Sequence, residues 1–345
     1  RLVMKDVRAL LNLKHQMILQ TLTLLRNINK ALFISLALFC CGLQMQAQTM
    51  TEDEIMAKLN EASALDNAKK TAEALDAFLL IGKNMEQQRT EVEHQIYVYC
   101  QAKACMCYET LNRYEEAYLL AKKLIAGNLT EKEKKDVGHL YAVNGYLYAS
   151  SFMHGNNRQS VKARTILEEI MPYADGKVKE YALPKISESW FFEGAEYHLS
   201  QQYDKALICY QNALNGFQEL GKTDDIVSVL QHIAEIKEKL YDVVGSETAY
   251  KQALSLARQT GKPDVQMAIL KELYYLGKTI GNVQQVQTYT ASMDSLMDAS
   301  ADLQTKYTYY NQKGNEAKEL GQYGIAEQWY LRGKNLAERT DINTV

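Results

Sequence analysis

Apolar residues in the second half of the chain recur at the spacing of helix faces, and that spacing itself repeats. In Ser187–Leu220, Trp190, Gly194 and Tyr197 fall at i, i+4 and i+7; after five intervening residues, Tyr203, Ala206, Tyr210 and Ala213 mark one face of another helix. The pair predicts a helical hairpin. Tyr210, Tyr250 and Tyr330 are spaced by 40 and 80, Ala213 and Ala253 keep the same step, and so do Gly194, Ala234, Tyr274 and Gly314. Counting outward predicts about seven hairpins, near 52–82, 92–125, 137–171, 187–220, 226–260, 266–300 and 304–340. The units at 226–260 and 266–300 keep the period better than the residue types: the first has Val243 and Ser246 where Tyr and Ala are expected, and the second keeps only Leu270, Leu273 and Val286. Between 152 and 162 the phase slips, which predicts a longer turn around Phe152–Arg158. Only three prolines occur in 345 residues, so long helices are favoured over many short strands.

The Trp, Gly, Tyr series on the first helix and the Tyr, Ala, aromatic, Ala series on the second resemble the tetratricopeptide repeat (TPR). Gly314, Gly321, Tyr323, Ala326 and Tyr330 keep the pattern in the last unit, and Tyr108, Tyr114 and Ala117 keep it in an early one. The resemblance implies an all-α fold over 49–345, an α-α superhelix (TPR solenoid) of about seven hairpins, with a concave groove that binds a protein or peptide. It also implies that the first helix of each hairpin lines the groove, through the residues one, five and eight positions after the Trp slot. Mapped by the period, these are Phe191, Ala195 and His198; Gln231, Glu235 and Glu238; Lys271, Tyr275 and Lys278; Asn311, Asn315 and Lys318. Lys271, Lys278 and Lys318 beside Tyr275, with Asn311 and Asn315 placed to hydrogen-bond an extended backbone, suit a peptide carrying an acidic side chain or a free carboxylate. The plainer alternative is a solvated charged face, in which Glu235 pairs with Lys239 one turn on. The Lys-Asn clamp of chaperone-binding family members is not reproduced, because Asn311 stands where its first lysine belongs.

Charge separates the first 48 residues from the rest. Residues 1–48 hold six basic residues and one acidic residue, which leaves 33 basic and 41 acidic residues in 49–345, a net of −8. A body of that sign has no general attraction for nucleic acid. After Arg26 and Lys30 an uninterrupted apolar run, Ala31–Leu43, leads into the polar Gln44–Gln48, which is the layout of a secretory signal peptide. Residues 17–48 are therefore expected to be a signal peptide starting at Met17 and cleaved after Ala47, and residues 1–16 to be absent from the mature protein. Other routes stand beside cleavage: an uncleaved anchor extended by Met17–Leu25, or lipidation of Cys41 in Leu38–Gly42. The chain stops at Val345 just after a repeat, where a solenoid needs a cap, so a C-terminal truncation is expected and a missing segment could reach a membrane.

One segment, Gly216–Thr223, fits G-x-x-x-x-G-K-T letter for letter. A phosphate-binding loop needs a strand before it, whereas here a helix precedes it, and Gly221 is better read as the left-handed residue ending that helix. Cys100, Cys105, Cys107 and Cys209 sit at spacings that suit neither one disulfide nor one metal, and read as small packing residues. His94, His139, His154, His198 and His232 are far apart in sequence, and no hydrolase or calcium-loop motif occurs. No catalytic residue, cofactor or metal is expected. The reading is an exported, periplasmic or envelope-associated interaction scaffold. Its alternative is the sensor part of a membrane signalling protein, with a histidine kinase or helix-turn-helix effector missing.

Overall fold

Helices begin where the sequence can cap them. In the computed structural model, which describes residues 51–87, 90–155, 158–299 and 303–340, Thr51, Thr90 and Thr130 each accept from the N–H of the glutamate three residues on. That glutamate's carboxylate in turn accepts from the threonine's own N–H. Each box satisfies two N–H groups that a helix start otherwise leaves orphaned. The helices follow in pairs: α1 (Glu52–Asn67) with α2 (Thr71–Asn84), α3 (Glu91–Thr110) with α4 (Tyr114–Ile125), and α5 (Glu131–Ser151) with α6 (Ser160–Ile170). A 3-10 turn, Met171–Tyr173, leads to α7 (Gly176–Leu199) and its partner α8 (Tyr203–Glu219). Three more pairs complete the chain: α9 (Thr223–Lys239) with α10 (Val243–Gln259), α11 (Pro263–Thr279) with α12 (Val283–Ala299), and α13 (Leu303–Glu319) with α14 (Tyr323–Thr340). The described residues thus form an all-α succession of TPR-like hairpins, and no strand occurs among them.

From α8 to α13 every helix has 17 residues, and the turns explain the regularity. Gln201, Gly221, Tyr241, Gly261, Gly281 and Gly321 each lie two residues past a helix end with φ between 60° and 73°. At Gly221 the N–H bonds to the Gln218 carbonyl (3.1 Å) and the next N–H, of Lys222, to the Phe217 carbonyl (2.9 Å). This closing motif satisfies the last carbonyls and turns the chain in three residues. A helix precedes Gly221, so the phosphate-loop letters at 216–223 have the expected helical context. Where a turn is expected around 152–158, the described residues 152–155 and 158–159 lie outside α5 and α6.

One boundary differs from the expectation. The fourth hairpin starts at Gly176, well ahead of Ser187, because Val178 and Ala182, one turn apart, bury at 1% and 0% exposure beside Ile170 and Tyr146. Pro184 lies inside this helix. The expectations for the signal peptide, Cys41 and the end of the chain fall outside the described residues. No described helix is long and apolar enough to cross a membrane.

The chain divides between Glu193 and Gly194, within α7, into two compact units. In the first, Ile55, Leu59, Phe78, Ile81 and Ile96 pack α1–α3. Tyr118, Tyr141, Tyr146, Leu167 and Ile170 pack α4–α6 with the start of α7. Trp190 is half-buried in this unit under the Arg164 guanidinium, 3.3 Å from its ring centre, and Arg164 also pairs with Glu193 at 2.6 Å. In the second unit the two helices of a hairpin meet at glycine. An added Cβ on Gly194 would stand 2.9 Å from the ring of Tyr210, and one on Gly314 would stand 2.5 Å from that of Tyr330. Small residues on the first helix therefore seat the aromatic of the second.

Candidate functional site

The first helices of the second unit, α9, α11 and α13, start 40 residues apart at Thr223, Pro263 and Leu303, so equivalent side chains recur on each. Their apolar stripes are buried: Ile226, Leu230 and Ile233 on α9, and Ile269, Leu270 and Leu273 on α11. The positions off those stripes hold the charged residues.

At one end, two imidazoles and a carboxylate converge. His198, near the end of α7, lies 6.2 Å from the His232 ring on α9, at an interplanar angle of 79°. The His232 Nδ1 is 3.0 Å from a carboxylate oxygen of Glu235, one turn on. Fully buried Tyr210 of α8 stacks flat on His232, with centroids 5.4 Å apart, and so holds that ring in place. The His232 hydrogen bond keeps the Glu235 carboxyl below its usual pKa, outweighing partial burial. Burial holds the His198 imidazole below its usual pKa. Across on α11, burial and the nearby Glu238 and Glu235 charges raise the Glu272 pKa.

Farther along, α11 and α13 flank a cleft of about 230 Å³ floored by Met293 and Met297 of α12, which are 3% and 2% exposed. Tyr274, Tyr275 and Tyr309 wall it, with Lys271 and Lys313 also lining it. The Lys313 ammonium stands 5.1 Å from the Tyr274 ring centre and 5.7 Å from that of Tyr309, and it also pairs with Glu316 at 3.3 Å. The tyrosine faces therefore lie next to positive charge. Tyr309 donates to Asp294 at 2.6 Å, which fixes one wall.

Of the residues expected to line a groove, His198 and Glu235 meet in the imidazole cluster, with Gln231 half-buried on the same helix. Lys271 and Tyr275 line the cleft, and Lys278 reaches to 5.5 Å from the Tyr274 ring centre. Phe191 belongs to the first unit, edge-on to Phe192. The α13 row is turned away from the cleft. Asn311 lies against Gly333, Asn315 accepts from the Tyr330 hydroxyl at 2.6 Å, and Lys318 borders a second hollow with Tyr323 and Tyr330. The cleft instead receives Thr308, Gln312, Lys313 and Glu316. Gln312, Lys313 and Glu316 lie one or two residues from the expected row, and each residue step turns a helix face by about 100°. The sequence reading thus leaves out His232, Tyr274, Lys313 and the two floor methionines.

No protein-family model matches the chain, and no curated protein matches it. Among solved structures it is similar to aspartyl phosphate phosphatase F from Bacillus subtilis, at 13% identity with a TM-score of 0.43, covering 88% of this chain and 78% of that one. It is also similar to the apo form of the quorum sensor NprR from B. thuringiensis, at 13% identity and a TM-score of 0.35, over 97% and 99% of the two chains. A third similarity is to the C-terminal part of a TPR repeat-containing protein from Cytophaga hutchinsonii, at 14% identity and a TM-score of 0.31, over 70% and 96%. Scores this low carry no argument about activity or partner, so what the chain binds has to be sought in its own residues.

Proposed function

We propose that the chain is a protein-interaction scaffold that takes an extended peptide segment in the α11–α13 cleft of its second unit. The observation that carries this reading is the composition of the cleft: methionine floor, tyrosine walls and lysines along the lining. Methionine side chains adapt their shape to irregular apolar groups. At about 230 Å³ the cleft is smaller than the ~300–1,000 Å³ typical of small-molecule and cofactor sites. It suits one or two side chains of a polypeptide. Exposed Lys271 supplies a cation for a carboxylate on the same segment, and a charge-assisted hydrogen bond contributes about 1.5–3 kcal/mol. The preferred ligand is an apolar side chain followed closely by an acidic residue or a chain end.

Selection from a random displayed-peptide library on the purified protein tests this. Enrichment of apolar-acidic segments, lost with Lys271→Glu or Tyr274→Ala in folded protein, is expected. Enrichment that ignores both substitutions removes the cleft from consideration. Export through residues 17–48 is part of the same proposal, supported by the basic residues ahead of the apolar run at 31–43. Intact mass of protein from an envelope fraction is expected to place the mature start at Gln48. A start at Met17 in the cytoplasm would overturn it.

A further inference from the structure

His198, His232 and Glu235 each place one potential ligand atom within 4.8 Å of the other two. Around a tetrahedral ion with bonds of about 2.0–2.2 Å, ligand atoms stand about 3.3 Å apart. The remaining closure of about 1.5 Å is within the range of small rotations of the half-exposed His198 and Glu235 side chains. Two features hold the site before any ion arrives. Residues 232 and 235 share one face of α9, and the flat stack of Tyr210 on His232 fixes the ring that must not wander. Tyr203 sets His198 from the side, edge-on at 6.0 Å.

We propose that His198, His232 and Glu235 bind one divalent transition-metal ion of the zinc class, which ties the end of α7 to α9. Two imidazoles and a carboxylate suit zinc, cobalt, nickel and copper, whereas magnesium and calcium take oxygen ligands almost exclusively. Three protein ligands leave a coordination position open, and because the cluster is half-exposed that position takes water or a donor from a bound partner. The surroundings favour a cation. Glu238 and Glu272 add carboxylates to Glu235, against the nearby Lys239 and Lys271. The ligand set crosses two hairpins, joining a residue of α7 to two of α9, so an ion here acts as a clasp between successive repeats in the second unit. The site stands whether or not a peptide occupies the α11–α13 cleft.

The test is a titration of untagged, chelator-treated protein with Co²⁺ alone, read by the visible absorption of the bound ion, followed by competition with Zn²⁺. One Co²⁺ per chain, displaced by one equivalent of Zn²⁺, is expected. Glu235→Gln and His198→Asn should each weaken Co²⁺ binding at least tenfold while leaving the helical circular dichroism unchanged. His232 is left in place because it packs on buried Tyr210. As a second readout, Zn²⁺ should raise the thermal midpoint of the wild type and not that of Glu235→Gln. Absence of stoichiometric binding by the wild type overturns the proposal, and so does equal affinity in the wild type and both variants, which would move the ion to other histidines. Should one variant lose its fold, the other and the wild-type titration still decide.

Discussion

Replacing Gly194 with valine tests the contact on which the second unit's packing depends. An added Cβ would sit 2.9 Å from Cδ1 and Cε1 of Tyr210 and 3.2 Å from Cγ, whereas carbon atoms rest at about 3.5–4.0 Å. The tyrosine cannot retreat, because its ring is 0% exposed and lies flat against His232. The helices must therefore separate by up to about 1 Å, and overpacking of this kind costs about 1–3 kcal/mol. Valine adds three carbons, and relief of the glycine helix penalty returns at most about 0.5–1 kcal/mol. A net loss of about 2 kcal/mol follows. Gly324 in the first turn of α14 supplies the control, since a Cβ there meets nothing within 4 Å and Gly324→Ala should not lower stability. Urea unfolding followed by circular dichroism at matched conditions measures both, and Gly194→Val combined with Tyr210→Leu should recover at least about 1 kcal/mol of coupling. A loss below about 0.5 kcal/mol for Gly194→Val, or no coupling to Tyr210, refutes the close approach.

Three further outcomes are expected. Tyr241 holds φ at 60° with its side chain 91% exposed, in the turn position that glycine fills at Gly221 and Gly261; Tyr241→Gly should raise stability by about 0.5–1 kcal/mol in urea unfolding, and a loss would contradict the left-handed turn. Partial burial alone would raise the Glu169 pKa, yet hydrogen bonds from Lys122, Tyr141 and Tyr118 hold it below its usual value. A depressed carboxyl stabilises above its unfolded pKa of about 4.3 and ceases to as pH falls through the folded value, so the thermal gap between wild type and Glu169→Gln should close below that range; a gap that stays constant contradicts the network. Burial pushes the Cys100 thiol up to about 12 and Cys107 up to about 11, and raises Cys105 as well. These thiols should resist a thiol reagent at pH 8 until urea unfolds the chain, and rapid labelling of folded protein would show them accessible.

Residue spacing discloses the hairpins because each aromatic of a second helix needs a small residue opposite it, and both recur at one period. Tyr210 against Gly194 and Tyr330 against Gly314 are legible in the sequence for that reason. The first half has such contacts off the 40-residue step, as at Gly138 against Tyr173. Its period is carried instead by Thr51, Thr90 and Thr130 with the glutamate three residues after each, a signal present in the letters but hidden from a search for aromatics. The site is less legible. His198 and His232 are 34 residues apart, off the 40-residue step, and they meet because the turns of successive helices place different faces side by side. The α13 row lies off the cleft for the related reason that a helix face shifts by about 100° with each residue, so Asn311 and Lys313 point to different neighbours. Period fixes which helices are neighbours, and only side-chain packing fixes which faces they share.

Photo-crosslinking at Tyr275 measures the proposed binding face most directly. With a benzophenone amino acid in place of Tyr275, which is 44% exposed and lines the α11–α13 cleft, a selected peptide carrying an apolar side chain and a carboxylate should form a covalent adduct that Lys271→Glu abolishes. The same group in place of the fully accessible Tyr241, in the turn after α9, serves as the reference for random encounter. Adduct formation at 275 and not at 241 is the expected result. Equal labelling at the two positions, or labelling at 275 that survives Lys271→Glu, would contradict peptide recognition by this cleft.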